Sequence, residues 1–392
     1  MPKKIYLDYA ATTPIDKGVI NEMLPYLKDK FGNASSIHTF GQLTRTAIES
    51  SRDSISRILN AKSSEVYFTS GGTEAINMAI FGTAFAIRKE TGKNHIITSE
   101  AEHHATLESC ERLQDKGFEV TFLKPTSEGN IRVSQIQDNI KPDTALISLM
   151  HVNNEVGTIT DIDSISDFTR EQKIVFHVDA VQSFVKFDID LSKTKIDLLS
   201  ASSHKIFGPK GAGCLFVRQG TPIEPIIYGG SQERKRRGGT ENTPSIVGFA
   251  KAAELFYEQR RENFEHVSKI KNRCIEILKS WGSEILVNSP LFECSPYILN
   301  FSINPEKFSL KSESLIMNFD LNGIAVSSGS ACTSGVMEPS HVLKAMNLTN
   351  ERAERALRFS FSKKTTFDEV QFALNILKQI LIDSPKIAFT NS

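Results

Sequence analysis

"EVYFTSGGTEAINMAIFGTAFAIR", residues 65–88, changes its rhythm halfway along. Its opening residues are rich in β-branched and aromatic side chains, the composition of a short strand. After Gly71 and Gly72, the residues Ile76, Ile80, Thr83 and Ile87 recur at helical spacing. A strand passing through a glycine turn into a helix is the repeating unit of an α/β fold. The pattern continues outward from about residue 12 to 220, through "HIITS" (95–99), "EVTFL" (119–123), "ALISLMHV" (145–152), "IVFHVDA" (174–180) and "DLLSAS" (197–202). Several of these runs are apolar on both faces, as in a parallel sheet covered by helices on each side. Ligands of such sheets bind beyond the carboxyl ends of the strands, so chemistry is expected in the loops that follow these runs.

Beyond Gly239 the texture changes. One long helical stretch is expected over about 243–281, followed by shorter elements around "YILNFSIN", "SLIMNFDLNG", "IAVSS" and "LRFSFS" and a closing helix from Asp368. A chain of 392 residues is long enough for two domains. The expected division is a large α/β domain over 15–245 and a smaller α+β domain formed by 1–14 together with 246–392.

Apolar residues make up 40% and charged residues 23%, the balance of an ordinary globular protein. Lys+Arg and Asp+Glu are equal at 46 each, so no basic excess points to nucleic acid or an anionic membrane. Five scattered cysteines do not form a disulfide framework, and no Cys-x-x-Cys pair suggests a zinc site. A reducing, cytoplasmic setting and no bound metal are therefore expected. The start, "MPKKIYLDYAATTP", lacks the apolar stretch of a signal peptide, and no run is long enough to span a bilayer. Arg-Lys-Arg-Arg at 234–237 reads first as a solvated loop, with a role at a site or interface as the sharper alternative.

Four strand-end loops carry candidate chemistry. Gly71, Gly72 and Thr73 form a turn whose N–H groups, with the helix N-terminus behind them, can face an anion. It is neither a Walker A loop nor a dinucleotide turn. Asp179 and Gln182 close "FHVDAVQS", where a buried carboxylate calls for a cation or donor. Lys205, in "SSHKIFGPKGAG", follows another strand, and a lysine there can lose its proton easily enough to form a Schiff base. His103 and His104 end "HIITSEAEHH", a weak metal signal and an equally good flat ring partner. Together an anion cradle, a carboxylate, a strand-end lysine and a flat ring suit pyridoxal phosphate. Cys332 stands apart in "SSGSACTSG" (327–335), among small polar residues where a packed core cysteine would not sit.

In its motifs the chain resembles the cysteine desulfurases of the NifS/IscS type, in the class V aminotransferase group of fold-type I pyridoxal-phosphate enzymes. The resemblance runs almost end to end, through "YLDYAATTP", "TSGGTEAIN", "HVNNEVGT", "HVDAVQS", "SSHKIFGPKG", "RRGGTEN", "SSGSACTSG", "EPSHVL" and "LRFSFSKKTT". It implies that Lys205 carries pyridoxal phosphate, that Asp179 pairs with the pyridine nitrogen and Gln182 with the ring hydroxyl, and that His103 stacks on the ring. Gly72, Thr73, Ser202 and His204 would hold the phosphate, with Thr240 reaching it from the second subunit of a homodimer. Asn154 and Arg358 would grip the carboxylate of L-cysteine, and Lys205, helped by His103, would move its Cα proton. Cys332 matches the catalytic cysteine, which would take the sulfur as a persulfide and deliver it to an acceptor protein; the glycines around it allow the loop to swing.

There are departures from the family pattern. Ala34 replaces a common proline in "FGNASS", and Ser362-Lys363 stands where Gly-Arg is frequent, leaving Arg358 without a second anchor there. The final "LIDSPKIAFTNS" lacks the longer tail with which some relatives dock an iron–sulfur scaffold, so a tRNA-thiolating enzyme is an equally expected acceptor. On the same scaffold the nearest alternatives are a selenocysteine lyase or an aminotransferase in which Cys332 is incidental. A cofactor-free pseudoenzyme and a nicotinamide-dependent dehydrogenase are more distant readings.

Overall fold

A computed structural model describes residues 4–328 and 338–384. Strand β1 (Ile5–Tyr6) precedes helices α1 (Lys17–Lys28) and α2 (Thr39–Ile58). Strands and helices then alternate: β2 (Val66–Thr69), α3 (Gly72–Thr91), β3 (His95–Ser99), α4 (His104–Gln114), β4 (Glu119–Leu123), α5 (Val133–Gln137), β5 (Thr144–Met150), α6 (Ile162–Glu171), β6 (Val175–Asp179), β7 (Leu198–Ser202) and β8 (Gly213–Val217). Strands β2 to β8 form one sheet in the order β2-β8-β7-β6-β5-β3-β4. Strands β4, β3, β5, β6 and β7 run parallel, and β8 is antiparallel to both of its neighbours. The sheet is thus mostly parallel, as the alternating sequence implies.

Successive strand residues point to opposite faces, and here both faces are apolar. Tyr67, Ile96, Leu146, Leu198 and Leu215 pack beneath Ile76 and Ile80 of α3 and Leu113 of α4. Their immediate successors Phe68, Ile97, Ile147, Leu199 and Phe216 belong to the opposite core, with Ile165 and Phe168 of α6. A sheet buried on both sides leaves the ends of its strands as the place for a ligand.

The rest of the chain contains α7 (Thr243–Glu258), α8 (Arg260–Ser280), β9 (Ile285–Val287), β10 (Ile298–Ile303), α9 (Ser312–Leu321), β11 (Ile324–Ala325), α10 (His341–Ala345), α11 (Asn350–Ala353), β12 (Ala356–Ser360) and α12 (Phe367–Asp383). Strands β12, β10 and β9 make a small antiparallel sheet. The single helix expected over 243–281 is two helices, broken at Gln259, whose φ and ψ of −100° and 6° leave the helical region. No proline or glycine causes the break; α7 packs on α1 and α2 while α8 packs on α12, and the chain turns between them. Strand β1 pairs in parallel with β11, Ile5 opposite Ile324 and Tyr6 opposite Ala325. Leu7 continues this strap, accepting from Ser360 N at 2.7 Å.

Among the described residues no helix is long and apolar enough to cross a membrane, and no group of His, Cys, Asp or Glu side chains is arranged to hold a metal ion.

Candidate active site

The loops after β2, β3, β5, β6 and β7 converge on a cavity of about 350 Å³, the size of a small-molecule site. Gly72, Thr73, His103, Asn154, Asp179, Gln182, Ser202, His204 and Lys205 line it, joined by Arg358 from β12. Thr240 does not line it and is exposed. Cys332 lies outside the described residues; Ser327, five residues earlier, is on the cavity wall.

Lys205 leaves β7 through a single turn, Ser203–Lys205, and its Nζ donates to Ala10 O at 2.7 Å and Ala11 O at 2.8 Å. Burial, followed by repulsion from Arg358, lowers this ammonium to about 8, against the opposing pull of Asp8 and Asp179. Asp179 ends β6, and its Oδ1 accepts from Val181 N at 2.9 Å. Burial raises its carboxyl to about 6, partly offset by that hydrogen bond and by Lys205. A cationic ligand atom beside Asp179 would offset the cost of burying its charge.

His103 caps α4, accepting from Ala105 N on Nδ1 at 3.0 Å, which leaves the proton of the neutral ring on Nε2. Its protein surroundings and then the Lys205 charge hold it down to about 4, so the imidazole is neutral at physiological pH. The same order of causes lowers His204 to about 4; its Nδ1 meets Thr12 Oγ1 at 3.1 Å.

Arg358 is anchored from behind. Nη2 donates to Asp8 at 2.7 Å and Nη1 to Asn154 O at 2.9 Å. A guanidinium has five N–H donors, so these bonds orient the fork and leave further donors for the cavity. Asp8 has no role in the sequence reading, although it stands in the quoted "YLDYAATTP". Glu102, behind His103, was equally unmarked: it is buried, accepts from Met150 N at 3.0 Å, and desolvation keeps its carboxyl well above the usual range. Part of the basic run is absorbed by the fold, since Arg237 holds Glu74 in the first turn of α3 at 2.8 Å.

A cavity of this kind, at the strand ends of a mostly parallel sheet, belongs to the fold-type I pyridoxal-phosphate enzymes. Residues 5–372 match the family described as Aminotransferase class-V. A cysteine desulfurase IscS from Dictyoglomus turgidum is 45% identical over 97% of this chain and 95% of its own length. A solved structure titled NIFS-LIKE PROTEIN superposes with a TM-score of 0.90 at 34% identity, covering 97% of this chain and all of that one. Another, titled SspA in complex with cysteine, gives a TM-score of 0.80 at 36% identity, over 93% and 100% of the two chains. The chain belongs to the class-V aminotransferase family, in its group of NifS/IscS-type cysteine desulfurases, and its cofactor is pyridoxal phosphate.

The residues present fit that cofactor. Ser202 Oγ is buried with no protein partner, next to the N-terminus of the 20-residue helix α3. A Cβ on Gly72 would stand 2.8 Å from Val181 Cγ2 and 3.4 Å from Ser202 Cβ. Gly72→Ala is therefore expected to push the turn away from Val181 and, with it, from the neighbouring Ser202. The result should be a loss of about tenfold or more in cofactor affinity, read by titrating the apoprotein with pyridoxal phosphate, and a lower Tm from overpacking of about 1–3 kcal/mol.

Proposed function

We propose that this chain converts L-cysteine to L-alanine and passes the sulfur, as a persulfide on Cys332, to an acceptor protein. The observation that carries the reading is Lys205, a strand-end lysine held at about 8 in a cavity that also presents Asp179 and Arg358. Pyridoxal phosphate, when bound, accepts electron density from the Cα of an attached amino acid. Lys205 would hold it covalently, Asp179 would face its ring nitrogen, Gln182 its ring hydroxyl and His103 its ring face. Gly72, Thr73, Ser202 and His204 would hold the phosphate, with Thr240 supplied by the second subunit. Exposed Phe31 and Phe40, their tilted rings 5.6 Å apart, and exposed Ile37 support a homodimer, which sedimentation velocity reads directly. We place the domain boundaries at 15–245 and at 1–14 plus 246–392.

Asn154 and Arg358 would bind the substrate carboxylate. Lys205 Nζ would take the Cα proton, and neutral His103 would share the transfer. The Cys332 thiolate then attacks the substrate sulfur. The carbon–sulfur bond breaks, a sulfur–sulfur bond forms, and the carbon side gains the electron pair and a proton to become alanine. Enzyme thiol and cysteine thus become enzyme persulfide and alanine, with no outside oxidant. Supporting this role, none of the four described cysteines lines the cavity.

Purified protein given pyridoxal phosphate and L-cysteine should form alanine in step with protein-bound persulfide; absence of alanine sinks the proposal. Arg358→Lys should raise KM for cysteine by about 10–100-fold with a smaller change in kcat, because an ammonium cannot reproduce the fork. The acceptor is an iron–sulfur scaffold or a tRNA-thiolating enzyme, and radiolabelled sulfur offered to each class will separate the two.

A further inference from the structure

Behind Gln182 lies a lysine that the mechanism above does not use. Lys186 is 7% exposed, and no carboxylate reaches it among the described residues. The carboxylate nearest in sequence, Asp188, is taken by Arg260 at 2.8 Å. The Lys186 ammonium instead lies 5.3 Å from the centroid of the Tyr297 ring and 3.4 Å from Gln182 Oε1. Burying an ammonium with no counter-charge is costly. The backbone before it is also strained: Val185 sits at φ +57°, a conformation that a β-branched residue rarely adopts. The turn at Val185 precedes a lysine whose Nζ reaches Gln182 at the back of the site.

Two contacts agree on how the Gln182 amide faces. Ala10 O can only accept, so it must face the amide nitrogen, and the amide oxygen is the atom turned to the Lys186 ammonium, a donor. The amide nitrogen then points toward the cavity, where one hydrogen goes to Ala10 O at 2.9 Å. Its second hydrogen has no acceptor among the described residues. Ala10 O also accepts from Lys205 Nζ at 2.7 Å, so Lys186, Gln182, Ala10 and Lys205 form one connected chain. The charged neighbour of Lys186 is Lys205, which repels it; His204, neutral at physiological pH, feels the Lys186 charge, and Tyr9 and Tyr297 line the same narrow space. Burial first, and Lys205 second, bring Lys186 down to about 7.

We propose that Lys186 is a positioning residue of the cofactor site, fixing the Gln182 amide so that its nitrogen donates to the cofactor ring and keeping positive charge behind Lys205. This rests on the proposed role of Gln182 at the ring hydroxyl. A double-mutant cycle of Lys186→Met and Gln182→Leu tests it, read by pyridoxal phosphate affinity and by the pH titration of the bound cofactor's visible absorption band. Lys186→Met should weaken affinity by about tenfold and move the titration midpoint up, as repulsion of the proton on the Lys205 nitrogen is lost. With Gln182→Leu already present, Lys186→Met should cause no further loss of affinity. Because Lys186→Met removes an unpaired buried charge, its Tm should not fall. A lower Tm with unchanged affinity and band marks Lys186 as merely structural and overturns the proposal. Should Lys186→Met fail to fold, Lys186→Arg, which keeps the donor, must preserve affinity and band, and loss of both overturns it equally. If Gln182→Leu leaves both readouts at wild-type values, the role of Gln182 is wrong and the inference falls with it. If Gln182→Leu changes them and Lys186→Met does not, only the inference falls.

Discussion

Lys205→Ala protein is expected to lack the visible band of the linked cofactor and to lose alanine formation by about 10³-fold or more. Two roles disappear together, since the same nitrogen anchors the cofactor and takes the Cα proton. No neighbour can stand in. Lys186 is the next lysine, but its Nζ contacts the far side of Gln182 and the residue does not line the main cavity. The fold should tolerate the change, because Lys205 Nζ gives up only bonds to Ala10 O and Ala11 O at the cavity edge. Absorbance spectra and an alanine assay on the refolding-competent variant check this. A variant that kept the wild-type band would place the cofactor on another amine.

Cys332→Ala should separate binding from sulfur transfer. The cofactor band and its response to added cysteine should remain, while alanine and persulfide formation drop by about 10²–10⁴-fold. The other cysteines offer no substitute. Cys110, Cys214 and Cys274 are fully buried, and burial raises the thiols of Cys110 and Cys214 to about 12 and that of Cys274 higher still. Cys294 is turned to Lys271 Nζ at 2.9 Å and away from the cavity. Wild-type alanine release from this variant would instead favour a selenocysteine lyase or aminotransferase on the same scaffold.

Much of the site was legible because α/β sheets place function at strand ends, and Gly72, Asp179 and Lys205 each follow a visible apolar run. Their convergence then follows from parallel strands that begin on one side and end on the other. Asp8 and Lys186 were not legible for a different reason. Asp8 reaches Arg358 across 350 positions of sequence, and no local pattern encodes such a pairing. Lys186 looks like any surface lysine until Val185 takes its left-handed turn. The break at Gln259 was hidden because its residues favour helix on both sides and only the packing of α7 and α8 separates them. Thr240, by contrast, has its motif in plain view, yet within one chain it remains exposed and away from the cavity.

The strap formed by residues 5–13 has a consequence for biosynthesis. Its partners lie far downstream: Asp8 meets Arg358 across 350 positions, Thr13 meets His204 across 191, and Ile324, Ala325 and Ser360 are comparably distant. Contacts so distant in sequence form late and slowly. Until they do, Ala10 and Ala11 are not in place beneath Lys205. The lysine is therefore seated only after the polypeptide has been made through Ser360, so the site cannot mature segment by segment as the sheet emerges.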